Sequence, residues 1–525
     1  MDKRSIQAWG SAALAVVMTS LALAGCGSPD GKSGAGEPAK QASGSDPLKI
    51  SMMLDFSGKE QPKPDNPVQQ AIEKYTNTKL NITEIPSNDY CSKSPVLIAS
   101  GDMPEVLASC GAPSQPYLVN AALGGAFWDI TPYIKDYPNL SKMPQVSYDN
   151  VKIGGKIYGI PRYRPISRYV FMYRKDWLDN VGLKPPTTVD EFYNMLKAFT
   201  NNDPDKNGKN DTYGISSMIS NTSFSPDFGL MFGAPNNWAV KDGKFIKAEE
   251  TPEYLEGLKF TKKLYDEKLL NQDFASVDRP KYEGEFENGK AGVLNATTNN
   301  MLAFEARVQS HNKDAKIDGV SALEGPAGKR TMADRGSNGI LMFPKSKVKS
   351  EAQLKQLLGF FDKLSEKPMV DLFEWGIQGT HYELKDGKAV RTNQTAFDNE
   401  VGFPYRSLLE TIPVANIKTA GDVDPATQRS YDIEADNAKY AVVDPAMVLI
   451  SETWNKQGQE LLQILNDAKV KFVMGKIDEN GWKQAVAQYK KAGGDKVRRK
   501  NMLRNIPKPR RNRAAEIHRQ VAGNE

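Results

Sequence analysis

Histidine and cysteine are nearly missing from this sequence, with three of each among 525 residues, and the shortage excludes several kinds of catalysis. His311, His381 and His518 form no HExxH pair, the cysteines form no CxxC cluster, and neither a G-x-S-x-G turn nor a phosphate-binding glycine loop occurs. Carboxylates are plentiful, yet nothing marks any two of them as a glycosidase couple. The expectation is a binding module and not an enzyme, with His381, inside GTHY, in a hydrogen-bonded structural role. Charge of one sign is also missing from most of the chain. The formal net charge is +5, but ten Lys or Arg fall between residues 496 and 519 against one acid, Glu516. Without that stretch the balance is about −4. The basic character therefore rests on the tail, and no nucleic-acid partner is expected.

Apart from an apolar stretch near the start, no transmembrane transporter segment is present. Lys3 and Arg4 precede the apolar residues from Ala12 to Leu23, which run into Leu23-Ala24-Gly25-Cys26. Residues 1–25 read as a secretory signal with a small-residue cleavage site. The LAGC sequence resembles the bacterial lipobox, so Cys26 is the expected lipidation site and several acyl chains would hold the protein stably on a membrane. An uncleaved membrane anchor is the alternative. Residues 26–47 are rich in Gly, Ser, Pro, Ala and Lys and read as a flexible tether. Cys91 and Cys110 either pair, closing a loop of about twenty residues, or stay as two buried thiols. Roughly 480 further residues exceed what one core supports, which predicts at least two domains.

Beyond the tether, elements alternate as in an α/β protein. Leu48–Leu54 and Leu80–Ile85 read as strands and Pro67–Tyr75 as a helix. A strand-like Lys156–Ile160 leads into Pro161-Arg162-Tyr163-Arg164-Pro165, where the prolines predict a crossing segment. Thr188-Val189-Asp190-Glu191 is a capping box, and Val189, Phe192, Tyr193, Leu196 and Phe199 recur at helical spacing until about Thr200. Directly after comes Asp203-Pro204-Asp205-Lys206-Asn207-Gly208-Lys209-Asn210-Asp211. Oxygen side chains at alternate places with glycine sixth can wrap a calcium ion, although Gly214 stands where the EF-hand glutamate would be. A solvated Asp/Asn/Gly turn is the bland reading.

Eight segments in order carry a resemblance: LIASGDMPEVL (97–107), GGKIYGIPR (154–162), MYRKDWLDNVGLKPPTTVDEF (172–192), DPDKNGKNDTYG (203–214), FGAPNNW (232–238), FENGKAGV (286–293), WGIQGTHY (375–382) and KFVMGKID (471–478). The chain resembles the extracellular solute-binding lipoproteins of ABC-type sugar importers, in particular the large Gram-positive group associated with oligosaccharides. The resemblance implies a two-lobed periplasmic-binding-protein-like α/β fold of type II character, with an oligosaccharide held between lobes that close on it and then presented to separate permease subunits. It implies structural calcium at Asp203, Asp205, Asn207, the main chain of Lys209, and Asp211, with Thr212 standing where relatives often carry an acid. The expected lobes are 48–160 with roughly 300–370, and 165–295 with roughly 371–485. A sugar needs aromatic platforms and planar polar groups. Trp238 and Trp375 are the expected platforms and Asp55, Arg162 and Tyr382 the expected polar contacts, with ordinary packing the alternative for each aromatic. Arg164 and Arg168 either pair with a uronate carboxylate or form a solvated basic strip. The competing function is a surface lipoprotein that holds an anionic polymer through the basic tail, 496–525.

Overall fold

The computed structural model describes residues 46–500 except 57, 59–60, 64, 112, 220–223, 226, 321, 414–424 and 450. The expected secretory segment, Cys26, the expected tether up to residue 45 and the tail beyond residue 500, His518 included, lie outside the described residues.

Nine strands build the two main sheets: β1 (Leu48–Phe56), β2 (Thr78–Pro86), β3 (Val106–Ala108), β4 (Gly159–Tyr163), β5 (Tyr169–Arg174), β6 (Tyr213–Ile215), β7 (Ala291–Thr297), β8 (Ile317–Val320) and β9 (Ser337–Met342). The first sheet has the order β2-β1-β3-β9-β4 and the second β8-β5-β7-β6. β1 is paired in parallel on both sides and buries Ile50, Met52, Met53, Leu54 and Phe56. Burial of both faces explains why it reads as an almost continuous apolar run and does not alternate. In each sheet a single strand opposes the others, β9 in the first and β5 in the second.

That arrangement positions the site. The chain leaves the end of β4 at Tyr163 and enters the start of β5 at Tyr169, and later leaves β8 at Val320 for the start of β9 at Ser337. The crossing segments 164–168 and 322–336 therefore join the carboxyl-end edge of one sheet to that of the other. In open α/β sheets this edge is where ligands bind, because backbone groups and loops there are not used by the ladder.

Each sheet has its own core. Leu54, Val106, Ile340, Leu358, Phe361, Phe373 and Tyr405 belong to the first. Tyr173, Phe192, Ile215, Trp238, Leu264, Leu465 and Trp482 belong to the second. The expected lobe boundaries are corrected accordingly. Residues 301–320 pack on the second sheet, with Met301, Phe304 and Val308 against Val170, Met172 and Leu294 and with β8 paired to β5. Residues 371–412 pack on the first, through Leu372, Phe373, Val401, Tyr405, Leu408 and Ile412. The chain then reaches the second sheet again beyond residue 425, with Ile433 packed beside Val170 and Met301 and with Leu461 and Phe472 in the second core. The tail begins in the same place: Val497 is buried and Arg498 pairs with Glu250 at 3.0 Å, so these two residues are structural.

The local expectations from helix chemistry hold. Thr188 and Glu191 form the capping box of the helix Val189–Asn201, whose inner face is Val189, Phe192, Met195, Leu196 and Phe199. Pro161 and Arg162 are not in a crossing segment, however. They lie within β4, the last strand of its sheet, where a residue without an N–H is tolerated. Cys91 and Cys110 form a disulfide, with Cα atoms 5.2 Å apart, tying the helix Ser87–Ser100 to the end of β3.

Candidate functional site

At the first lobe's edge the ends of β1 and β4, the start of β9 and the helix Arg406–Leu409 meet in one charged cluster. Arg162 is 2% exposed. Its Nη1 donates to Asp55 Oδ1 and its Nε to Glu410 Oε2, both at 2.9 Å. Asp55 also accepts from Ser407 Oγ at 3.0 Å. Glu410 receives Arg164 Nη2 at 3.0 Å and Arg406 Nε at 3.3 Å. With its amide oxygen turned toward the guanidiniums, Asn338 accepts from Arg162 Nη2 at 3.0 Å and Arg164 Nη2 at 2.9 Å. Burial pushes the Glu410 carboxyl up, but the arginines outweigh it and hold the group below the usual carboxylate range.

This cluster corrects the expectation for Arg162. A guanidinium with its donors committed to two carboxylates is a strut, and a sugar hydroxyl cannot replace a charged partner without leaving a buried carboxylate uncompensated. Asp55, its side chain 21% exposed, stays at the edge of the cluster. On the second lobe's side, Arg168 Nε is 2.5 Å from Asp334 Oδ2. Asn437 accepts from Ala322 N at 2.9 Å and donates to the carbonyls of Ser167 and Tyr169, which pins both crossing segments to the helix Pro425–Ala438. Arg164 and Arg168 thus both meet protein carboxylates.

The aromatic candidates separate. Trp238 belongs to the second core, edge-on to Phe245 with ring centres 6.2 Å apart and under the Lys247 ammonium at 5.4 Å. Its role as a platform is corrected to packing. Trp375 and Tyr382 come together on the first lobe, 6.2 Å apart, with the Arg391 guanidinium 5.5 Å from the indole. His381 sets them there. It is fully buried, its Nδ1 accepts from Ile377 N at 2.8 Å, and its Nε2 lies 3.2 Å from Glu400. Gly376 has φ 81°, and a Cβ there would stand 2.5 Å from His381 Nδ1, so no larger residue fits between Trp375 and the histidine.

The Asp203–Asp211 loop folds around Asn207. Asp203 accepts from the N–H groups of Asn207 and Gly208 at 3.1 and 3.0 Å, and the Asn207 amide donates to Asp205 Oδ2 at 2.8 Å and Asp211 Oδ1 at 3.1 Å. Lys209 N donates to Asn207 Oδ1 at 2.7 Å, and Lys290 pairs with Asp211 at 2.9 Å. Among the described residues no group of three His, Cys, Asp or Glu side chains is drawn together as a metal set. One feature fits a cation nonetheless: Asp205 Oδ1 is buried with no hydrogen-bond partner. Burial and the neighbouring Asp211 and Asp203 charges push the Asp205 carboxyl up.

Residues 58–362 match the model of the bacterial extracellular solute-binding protein family. The chain belongs to that family. Lipoprotein LipO of Bacillus subtilis (strain 168) is 36% identical to this solute-binding protein over 92% of its length and 96% of LipO. The polygalacturonan/rhamnogalacturonan-binding protein YtcQ of the same organism is 36% identical over 90% and 94%. A solved S. pneumoniae structure, the substrate-binding protein FusA as an EF-hand mutant in complex with fructo-nystose, superposes with a TM-score of 0.59 at 20% identity, covering 90% of this chain and 99% of that one.

In this solute-binding protein the residues that sequence reasoning missed are Glu410, Asn338, Ser407 and Asp334. Glu410 is 248 positions from Arg162 and carries no local signal. A search for an acid to accompany the closely spaced Arg162 and Arg164 could have asked for it, but not located it. Among the described residues no helix is long and apolar enough to cross a membrane.

Proposed function

We propose that this protein captures an oligosaccharide outside the cell and delivers it to the permease subunits of an ABC-type importer, while lipid on Cys26 holds it on the membrane. The observation that carries this reading is the convergence of both carboxyl-end sheet edges on the crossing segments. A ligand seated there touches both lobes and lowers the free energy of the closed form relative to the open one. YtcQ, named for polysaccharide binding, FusA, with a bound fructo-oligosaccharide, and LipO, named a lipoprotein, support it. Binding here drives a population shift and no bond is broken. Asp203, Asp205, Asn207, the main chain of Lys209, and Asp211 would hold a structural calcium ion, which supplies charge to a loop of three carboxylates and stiffens the end of the helix Val189–Asn201.

The test combines thermal shift with small-angle scattering across neutral and acidic oligosaccharides. A ligand that raises the melting temperature and shrinks the radius of gyration without product formation supports capture. Turnover of the sugar, or no response to any saccharide, sinks it. For the anchor, Cys26→Ala is expected to abolish acylation, read by mass spectrometry of the membrane fraction.

A further inference from the structure

A two-stranded hairpin lies beside the Trp375–Tyr382 ring pair on the first lobe. Its strands, β10 (Tyr382–Lys385) and β11 (Lys388–Arg391), are antiparallel, with Leu384 opposite Ala389 and Glu383 opposite Val390. Between them Asp386 and Gly387 have φ 53° and 79°, the two left-handed positions of a tight turn whose twist matches that of its strands. Side chains alternate across such a ribbon. Tyr382, Leu384, Ala389 and Arg391 therefore share one face, and Glu383, Lys385, Lys388 and Val390 the other.

The first face is anchored at its base. The Arg391 guanidinium lies 3.4 Å from the Phe397 ring centre and 5.5 Å from that of Trp375, and it donates to Glu374 O. Tyr382 stands 6.2 Å from Trp375, and both rings are half-buried. One step further out, Leu384 has the small Ala389 as its cross-strand neighbour and stays 51% exposed. Trp375, Tyr382 and Leu384 thus form a continuous apolar strip. It starts at the ligand-facing edge of the first sheet. His381 Nε2 lies beside Glu400, whose main-chain O accepts from Asn66 Nδ2 at 2.9 Å, and Asn66 caps the helix Pro67–Thr76 that returns from the carboxyl end of β1.

We infer that the hairpin is an outer subsite for the saccharide chain and that Leu384 sets a preference for length: Trp375 and Tyr382 take one sugar unit, and Leu384 packs on the C–H face of the unit that follows. This rests on the capture reading above. An aliphatic side chain in line with two aromatic rings suits the apolar face of a sugar, whose hydroxyls stay in water at the rim, and asks for no charge on it. The tight turn and the anchored Arg391 hold the ribbon in shape before a ligand arrives, so little ordering cost offsets the contact. A chain that ends on the rings never touches Leu384, and a longer one does.

The experiment is calorimetric titration of wild type, Leu384→Ser, Leu384→Met and Val390→Ser at constant calcium. The probes are gluco-, fructo-, galacto- and galacturono-oligosaccharide ladders running from disaccharide to hexasaccharide, with thermal unfolding of each ligand-free protein alongside. Wild type is expected to bind the longer members of a series about fivefold to tenfold more tightly than the disaccharide, the scale of covering half a leucine side chain. Leu384→Ser is expected to lose that gain while keeping the disaccharide affinity and the wild-type melting temperature. Leu384→Met, of similar volume, is expected to retain it, and Val390→Ser, on the opposite face, to behave as wild type. Wild-type affinity that does not rise with length overturns the inference. So does a gain that survives in Leu384→Ser, the same loss in Val390→Ser, or an equal loss at every length, which would make Leu384 a support for the rings. In each of these cases the capture reading stands, whereas no binding to any saccharide overturns both.

Discussion

Glu249 offers a sharp test of the electrostatics of the second lobe. Its side chain is 6% exposed and lies between two ammonium groups, Lys247 at 3.0 Å and Lys469 at 3.1 Å, themselves 4% and 5% exposed. Each ammonium also stands over an aromatic ring, Lys247 over Trp238 and Lys469 over Tyr254. Burial pushes the carboxyl up, but the two lysines outweigh it and hold the group at about 2 against an ordinary 4.5. A folded value below the unfolded one gives stability that is complete above about pH 4.5 and is lost as pH falls toward 2. The difference corresponds to about 3 kcal/mol. Glu249→Gln should cost at least this at pH 7, in the range of about 3–5 kcal/mol for breaking a buried ion cluster, because two cations then lose their shared counter-ion. Urea unfolding followed by tryptophan fluorescence reads the change, since Trp238 and Trp482 lie in this core. The gap between wild type and variant should narrow steadily from pH 5 to pH 3. A variant that unfolds at the wild-type urea midpoint, or a gap that stays constant with pH, would refute the reasoning.

Trp238→Ala should destabilise the protein by about 3–5 kcal/mol as a core truncation, read by thermal unfolding without ligand, and unchanged stability would restore it as a surface platform. Trp375→Ala, by contrast, should leave the unfolding midpoint near wild type and weaken sugar binding by about 1–3 kcal/mol in calorimetry, on the scale of one aromatic contact. Cys91→Ser should lower stability by about 3 kcal/mol, and reductant should do the same to wild type but nothing to the variant. Calcium at a hundredfold its dissociation constant should stabilise wild type by about 2.7 kcal/mol, and Asp203→Asn with Asp205→Asn should remove that response; identical melting of metal-free and calcium-loaded protein would reduce the loop to a solvated turn.

Local chemistry was legible where a few neighbouring residues settle it. The capping box at Thr188 and Glu191, the strand Leu48–Phe56 and the structural role of His381 all follow from side chains within a few positions of one another. The α/β class and the two-lobed reading follow from the alternation of such segments and from eight motifs in order. Lobe membership of 301–320 and 371–412 was not legible, because an amphipathic helix states that it has a buried face but not which sheet covers it. The same limit applies to Trp238 and Trp375. Both are tryptophans in family-like segments, yet one packs on Phe245 inside a core and the other stands with Tyr382 and Arg391 at a helix end.

Arginine shows most clearly what was decided at which level. From the sequence alone, Arg162, Arg164 and Arg168 are three cations near prolines, each open to a ligand. The sequence determined their charge and the strands and crossings that carry them. Only the tertiary structure brought Asp55, Glu410 and Asp334 to them and made all three part of the protein's own ion pairs. The physical reason is that a charge's role depends on its nearest opposite charge and on how much water is removed from both, and here those partners come from as far as 248 positions away.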